Sequence, residues 1–211
     1  MKTDELIELL VQDTPVRLNL DHALMHAATA ATLIAAILFF AVIGLRADFI
    51  TAIETGRFLF KFVITGSLSL TGGMVMFRIG RPGVPVRLTA LGLMVPALLM
   101  SAAAIFELLV MPSETWVTRM IGRNSSLCLT IIPFLSVGPL ACFLYALRSA
   151  APTRPAVAGA VAGLVAAGIA ATFYAANCDD DSPLFVMLWY PIAISIVAGT
   201  GALIGHKMLR W

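Results

Sequence analysis

Six stretches of this chain, each about 20 residues or longer, carry almost no charge, and that pattern decides what it can fold into. A helix needs roughly 20 apolar residues to cross about 30 Å of hydrocarbon. Within the bilayer its backbone polar groups must be satisfied inside the segment. Residues 23–45, 58–77, 88–110, 125–147, 155–176 and 184–208 read as six transmembrane helices. Lys61 falls in the first turn of the second, where a lysine can extend its ammonium to the interface, so the span stands. The chain is 60% hydrophobic and 12% charged, against about 25% charged in a soluble domain. Its formal charge of +2 forms no basic stripe, so no direct contact with nucleic acid is expected.

The expected architecture is an all-α membrane protein: a six-helix domain over residues 22–211, surrounded by membrane lipids, with a soluble tail over residues 1–21. The first span does not read as a cleaved signal. Its preceding segment is acidic, and its 23 residues without Asp, Glu, Lys or Arg exceed a signal core of about 7–15.

Orientation follows from Lys and Arg in the flanks. With the N-terminus inside, the inner set is Lys2, Arg17, Arg78, Arg81, Arg87, Arg148, Arg154, Lys207 and Arg210. The outer set is Arg46, Arg57, Lys61, Arg119 and Arg123. Nine of the 14 against five predict both ends in the cytoplasm.

Gly159 and Gly163, and Gly201 and Gly205, have the small-xxx-small spacing that lets helix backbones approach closely. They fit a packing seam within the chain, or a homodimer interface. Pro96, Pro133, Pro139 and Pro191 are expected to kink their helices. Ionisable residues avoid mid-membrane: Glu107 and Lys61 lie near helix ends, and His26 in a first turn. Pumps place such residues in the interior, so the pattern argues against one. No P-loop, zinc-protease motif or nucleophile elbow is present, and no enzymatic activity is expected.

In the tail, Thr3 can cap a helix whose first turn holds Asp4 and Glu5, both favourable against the helix dipole. Leu6, Leu9 and Leu10, flanked by Ile7 and Val11, form an apolar side, and Pro15 ends the helix. Three turns are marginal alone in water. Surface helices on anionic lipid favour Lys and Arg, whereas this tail is acidic. A groove on a basic protein partner fits Asp4, Glu5, Leu6, Ile7, Leu9 and Leu10 better. Packing on the membrane domain and a disordered tail are the alternatives.

Of the three cysteines, Cys128 lies at the predicted outer end of the fourth span and Cys178 in the outer loop before the sixth. Cys142 is 14 residues beyond Cys128, or about 21 Å deeper, and reads as a small apolar core residue. Three readings compete for Cys128 and Cys178: a structural disulfide, a redox-switchable pair, and a thiolate pair catching a soft metal ion. Asp179, Asp180 and Asp181 could add oxygen ligands or be simply solvated. His22, His26 and His206 share the inner level and read as interfacial residues rather than a metal site.

The whole pattern resembles the NrsF family of bacterial membrane anti-sigma factors. The features that carry the resemblance are the tail Met1-Lys2-Thr3-Asp4-Glu5-Leu6-Ile7-Glu8-Leu9-Leu10, Pro15 and six spans. Most specific is the late run Cys178-Asp179-Asp180-Asp181-Ser182-Pro183-Leu184-Phe185 with Trp189-Tyr190, and a partner cysteine in the fourth span. The resemblance implies a protein that holds an extracytoplasmic-function sigma factor at the inner membrane and releases it on metal or oxidative stress. It implies sensing through two outward cysteines, in the places of Cys128 and Cys178, with no resident cofactor beyond a transient heavy-metal ion at that pair. A small membrane transporter or channel is the alternative.

Overall fold

The computed structural model describes residues 20–81, 85–150 and 152–210. Within them the regular structure is helical, with no strand. In chain order the α-helices are α1 (Leu20–Val42), α2 (Phe49–Ala52), α3 (Gly56–Ile79), α4 (Arg87–Ala90), α5 (Met94–Val110), α6 (Trp116–Ile121), α7 (Ser125–Leu147), α8 (Pro155–Ala175) and α9 (Pro183–Met208). Six helical segments are long and apolar enough to cross a membrane: α1, α3, the run Arg87–Val110, the run Ser113–Leu147, α8 and α9.

The exposed side chains support a lipid setting. Leu33, Ile37 and Phe40 on α1, and Leu98, Phe106 and Leu109 on α5, are each more than 60% exposed. Apolar surface so continuous is foreign to a soluble monomer. The opposite stripe of α1, Leu24, Ala27, Ala31, Ala35 and Phe39, is buried. Its i, i+3, i+4 spacing is one helix face, and α1 packs on α7.

The centre of the bundle is α8, packed against α9, α3, α7 and, less extensively, α1. Its sequence is largely alanine and glycine, because a helix with neighbours on several sides has no volume for large side chains. The expected glycine seam lies within the chain. A Cβ on Gly159 would lie 2.1 Å from the Gly201 carbonyl oxygen, and one on Gly205 would lie 2.7 Å from Gly159 Cα. The backbones of α8 and α9 therefore touch, and no residue but glycine fits there.

Pro133, Pro139 and Pro191 lie inside α7 and α9. Pro96 instead sits in the first turn of α5, just after a 3₁₀ segment, Leu91–Leu93. A proline ring clashes with the carbonyl four residues back and removes one hydrogen bond. Here the helix changes its winding at that point.

The core divides along the bundle axis. At one end Leu24, Val75, Leu147 and Leu209 cluster, with Leu20 packed against them. At the other end the cluster contains Phe39, Cys128, Tyr174, Cys178, Phe185 and Tyr190. The two termini of the main helical body thus meet at one end, and Cys128 and Cys178 lie at the other.

Candidate functional site: a buried ion clamp around two thiols

The segment between α8 and α9, residues 176–182, is tied down residue by residue. Asn177 Nδ2 donates to the Gly44 carbonyl (3.1 Å). The Cys178 carbonyl accepts from Lys61 Nζ at 2.7 Å and from an Arg46 guanidinium nitrogen at 3.3 Å. Asp181 takes the same two cations: Lys61 Nζ at 2.6 Å, and the Arg46 nitrogen at 3.1 and 2.9 Å. Asp180 Oδ2 accepts the backbone N–H groups of Arg123 (2.9 Å) and Asn124 (2.8 Å), at the start of α7. That is where a helix dipole favours an anion. Asp179 bonds the Asn124 amide. Ser182 caps α9 by accepting Leu184 N–H, and donates its hydroxyl proton to Glu107 Oε2 at 2.9 Å.

Lys61 lies within the observed span α3. The residue is 1% exposed, and its ammonium meets the loop between α8 and α9 rather than open water. Asp181 and the Cys178 carbonyl supply the charge and lone pairs that water would have given. An ion buried this way is stable only when paired and hydrogen-bonded. Glu107 follows the same rule. It is 2% exposed and meets Arg119 at 3.1 Å, Arg57 at 3.8 Å and Ser182.

Arg46 and Asp48 hold each other charged. The hydrogen bond to Asp48 is the main reason the guanidinium resists deprotonation, with Asp181 adding to it. The same contact, 2.6 Å, lowers the Asp48 carboxyl below its ordinary range.

Cys128 and Cys178 are 0% and 1% exposed and share one apolar cluster, both as free thiols. Cys178 Sγ lies 3.9 Å from the Asp180 carbonyl oxygen. Burial pushes its thiol above the ordinary value, with nearby Lys61 pulling the other way. Beside them are two tyrosines, Tyr174 and Tyr190, with ring centroids 6.1 Å apart. Both hydroxyls are buried; that of Tyr174 faces the Cys178 thiol, and that of Tyr190 has no hydrogen-bond partner among the described residues. Gly122, at φ +61°, closes the site: a Cβ there would lie 2.4 Å from the Phe185 ring. Trp189 Nε1 donates to the Met120 carbonyl at 3.0 Å.

A family model described as "Negative regulator of sigma F" (NrsF) matches residues 10–211. The chain belongs to this family. Among NrsF proteins it is 31% identical to the anti-sigma-F factor of Caulobacter vibrioides, across the full length of both chains. It is also 31% identical to a probable anti-sigma-F factor of Azospira oryzae, again over 100% of each. No solved structure matches it.

The remaining sequence-derived positions distribute as follows. Asp4, Glu5, Leu6, Ile7, Leu9 and Leu10 lie outside the described residues. Cys142 is half-buried against the other core cluster, remote from the thiol pair. His22, His26 and His206 are exposed. Asp179, Asp180 and Asp181 are engaged in the loop's own bonds, and no three His, Cys, Asp or Glu residues form a metal-holding group among the described residues. Sequence reasoning did not assign Arg46, Lys61, Glu107, Gly122, Tyr174 or Tyr190 to a functional site. One signal was available. Lys61 and Arg46 stand at the same predicted membrane level as three consecutive aspartates, so charge neutrality alone would have paired them.

Proposed function

We propose that this NrsF-family protein sequesters an extracytoplasmic-function sigma factor at the bacterial inner membrane and releases it on metal or oxidative stress. The observation that carries the proposal is full-length similarity to two proteins named as anti-sigma-F factors. Both chain ends face the cytoplasm in this reading, and the tail residues Asp4, Glu5, Leu6, Ile7, Leu9 and Leu10 grip the sigma factor. Cys128 and Cys178 are the outward sensor, capturing a soft metal ion or undergoing oxidation.

The clamp gives that sensor a route across the bilayer. The thiols sit in a filled apolar cluster, so a bound ion or new bond there must displace the 176–182 segment. The same segment holds Lys61 through the Cys178 carbonyl and Asp181. From Lys61 to Ile79, α3 is a continuous rod of about 27 Å at 1.5 Å per residue. Beyond its far end a Cβ on Gly80 would lie 2.9 Å from the Leu20 side chain, and Arg81 pairs with Asp21. Leu20 and Asp21 are the root of the tail. The two-state element is Lys61, either clamped inward or released toward the interface.

Co-purification from native membranes tests the reading. A sigma factor should be recovered with the wild-type protein, lost with Leu6→Asp/Leu10→Asp, and retained under stress with Cys128→Ser/Cys178→Ser. Absence of any sigma factor from unstressed wild-type samples would overturn it.

A further inference from the structure

At the end of the bundle opposite the thiols, a groove of about 440 Å³ runs along α3 and meets α4 at Thr89. That volume is in the range of small-molecule sites. Its wall is Leu70, Met74 and Phe77, which share one face of α3, and its far end is Arg78 and Arg81. From Leu70 to Arg78 the wall runs about 12 Å along the helix axis. Gly73 opens it midway: a Cβ there meets nothing within 4 Å.

The cations at its mouth have spare capacity. Arg78 is exposed, and its guanidinium has no hydrogen-bond or ion-pair partner among the described residues. Arg81 engages Asp21 through one nitrogen only and is about half exposed, leaving further donors of the five a guanidinium carries. Two arginines at a helix end also suit the helix dipole. The dipole does not explain an apolar channel leading up to them.

We propose that this groove is a binding site for one anionic phospholipid. The phosphate takes Arg78 and the free donors of Arg81 in the forked geometry guanidinium offers to phosphate oxygens. One acyl chain lies on Leu70, Met74 and Phe77 across the Gly73 notch, and the Thr89 hydroxyl borders the glycerol level. A free phosphate ion would satisfy the arginines but leave the channel unused, so a lipid is the fitting source of the anion. The site stands independently of the sigma-factor reading.

Delipidated full-length protein in detergent is titrated with phosphatidylglycerol, phosphatidylcholine or inorganic phosphate and followed by native mass spectrometry. One phosphatidylglycerol should bind per chain, at least tenfold more tightly than phosphatidylcholine, and millimolar phosphate should not displace it. Arg78→Gln should weaken it about tenfold. Gly73→Leu, directed into open space, should do the same by filling the channel, with the thermal midpoint of both variants unchanged. Equal retention of the two lipids, displacement by free phosphate, or full binding by both variants would overturn the proposal.

Discussion

Replacing Asp181 by alanine strands a cation. Lys61, 1% exposed, would keep the Cys178 carbonyl at 2.7 Å and the Phe58 ring at 5.3 Å, and lose its only counter-charge among the described residues. Removing one partner of a buried pair costs about 3–5 kcal/mol. The Asp181 side chain is itself 22% exposed, and admitted water reduces the cost to about 2–4 kcal/mol. Lys61→Met is a different perturbation. Asp181 then still holds Arg46 at 2.9 and 3.1 Å, and the Cys178 carbonyl still has Arg46 at 3.3 Å. Little more than one or two hydrogen bonds is lost, about 1 kcal/mol. The double variant should therefore be more stable than Asp181→Ala alone, with a coupling of about 1–3 kcal/mol. Equilibrium unfolding of all four proteins in nanodiscs measures this cycle. Additive losses, or a Lys61→Met variant as unstable as Asp181→Ala, would refute the clamp as the support of this loop.

Three further outcomes follow from the geometry. Gly201→Ala puts a Cβ 2.3 Å from the Gly159 carbonyl oxygen, and should cost about 3 kcal/mol or more by overpacking. Gly199→Ala, with open space around it, should be neutral or stabilising by up to about 1 kcal/mol; thermal melts of the pair check both. Because burial raises the Cys178 thiol above the ordinary value of about 8.5, its stabilising contribution is complete below pH 8. It should decline as pH rises above 9, since the unfolded chain loses its proton first. That part of the alkaline loss should vanish in Cys178→Ala, as seen in melts between pH 7 and 10.5, and maleimide labelling of Cys178 at pH 7 should be slow. Gly122→Ala forces φ +61° on an alanine and a Cβ into Phe185. It should destabilise by about 1–3 kcal/mol and speed Cys178 labelling.

The helices were readable because lipid imposes one rule on every span: a long run without charge. The observed bounds differ from the expected ones by a few residues, as with Gly56–Ile79 for 58–77. The lipid rule is blind to what a side chain meets at the ends, and the pairing of Lys61 with Asp181 was not legible from it. Near an interface a lysine can turn toward water or toward a buried carboxylate, and periodicity does not distinguish these. The glycine spacing of α8 and α9 indicated close approach, but only the fold places Gly159 against Gly201 within one chain. The cysteines could be assigned to one membrane level by counting. Their enclosure by Tyr174, Tyr190 and the clamped loop depends on contacts between α3, α7, α8 and α9 that no local pattern encodes.

The position of α9 in the chain bears on synthesis. It leaves the ribosome after the other described helices, yet α8 makes its closest backbone contacts with it, and Ser182, Phe185 and Trp189 fasten the loop and its surroundings from its first two turns. A nascent chain holding only the first five spans has Lys61 already committed to the bilayer, with Asp181 still to be translated. One buried charge, Lys61, thus waits for a counter-charge encoded more than 100 residues downstream, whereas Glu107 already has Arg57 and Arg119. Insertion quality control would have a simple chemical cue for incomplete copies: a lysine in lipid whose counter-charge, Asp181, arrives only with the loop before α9.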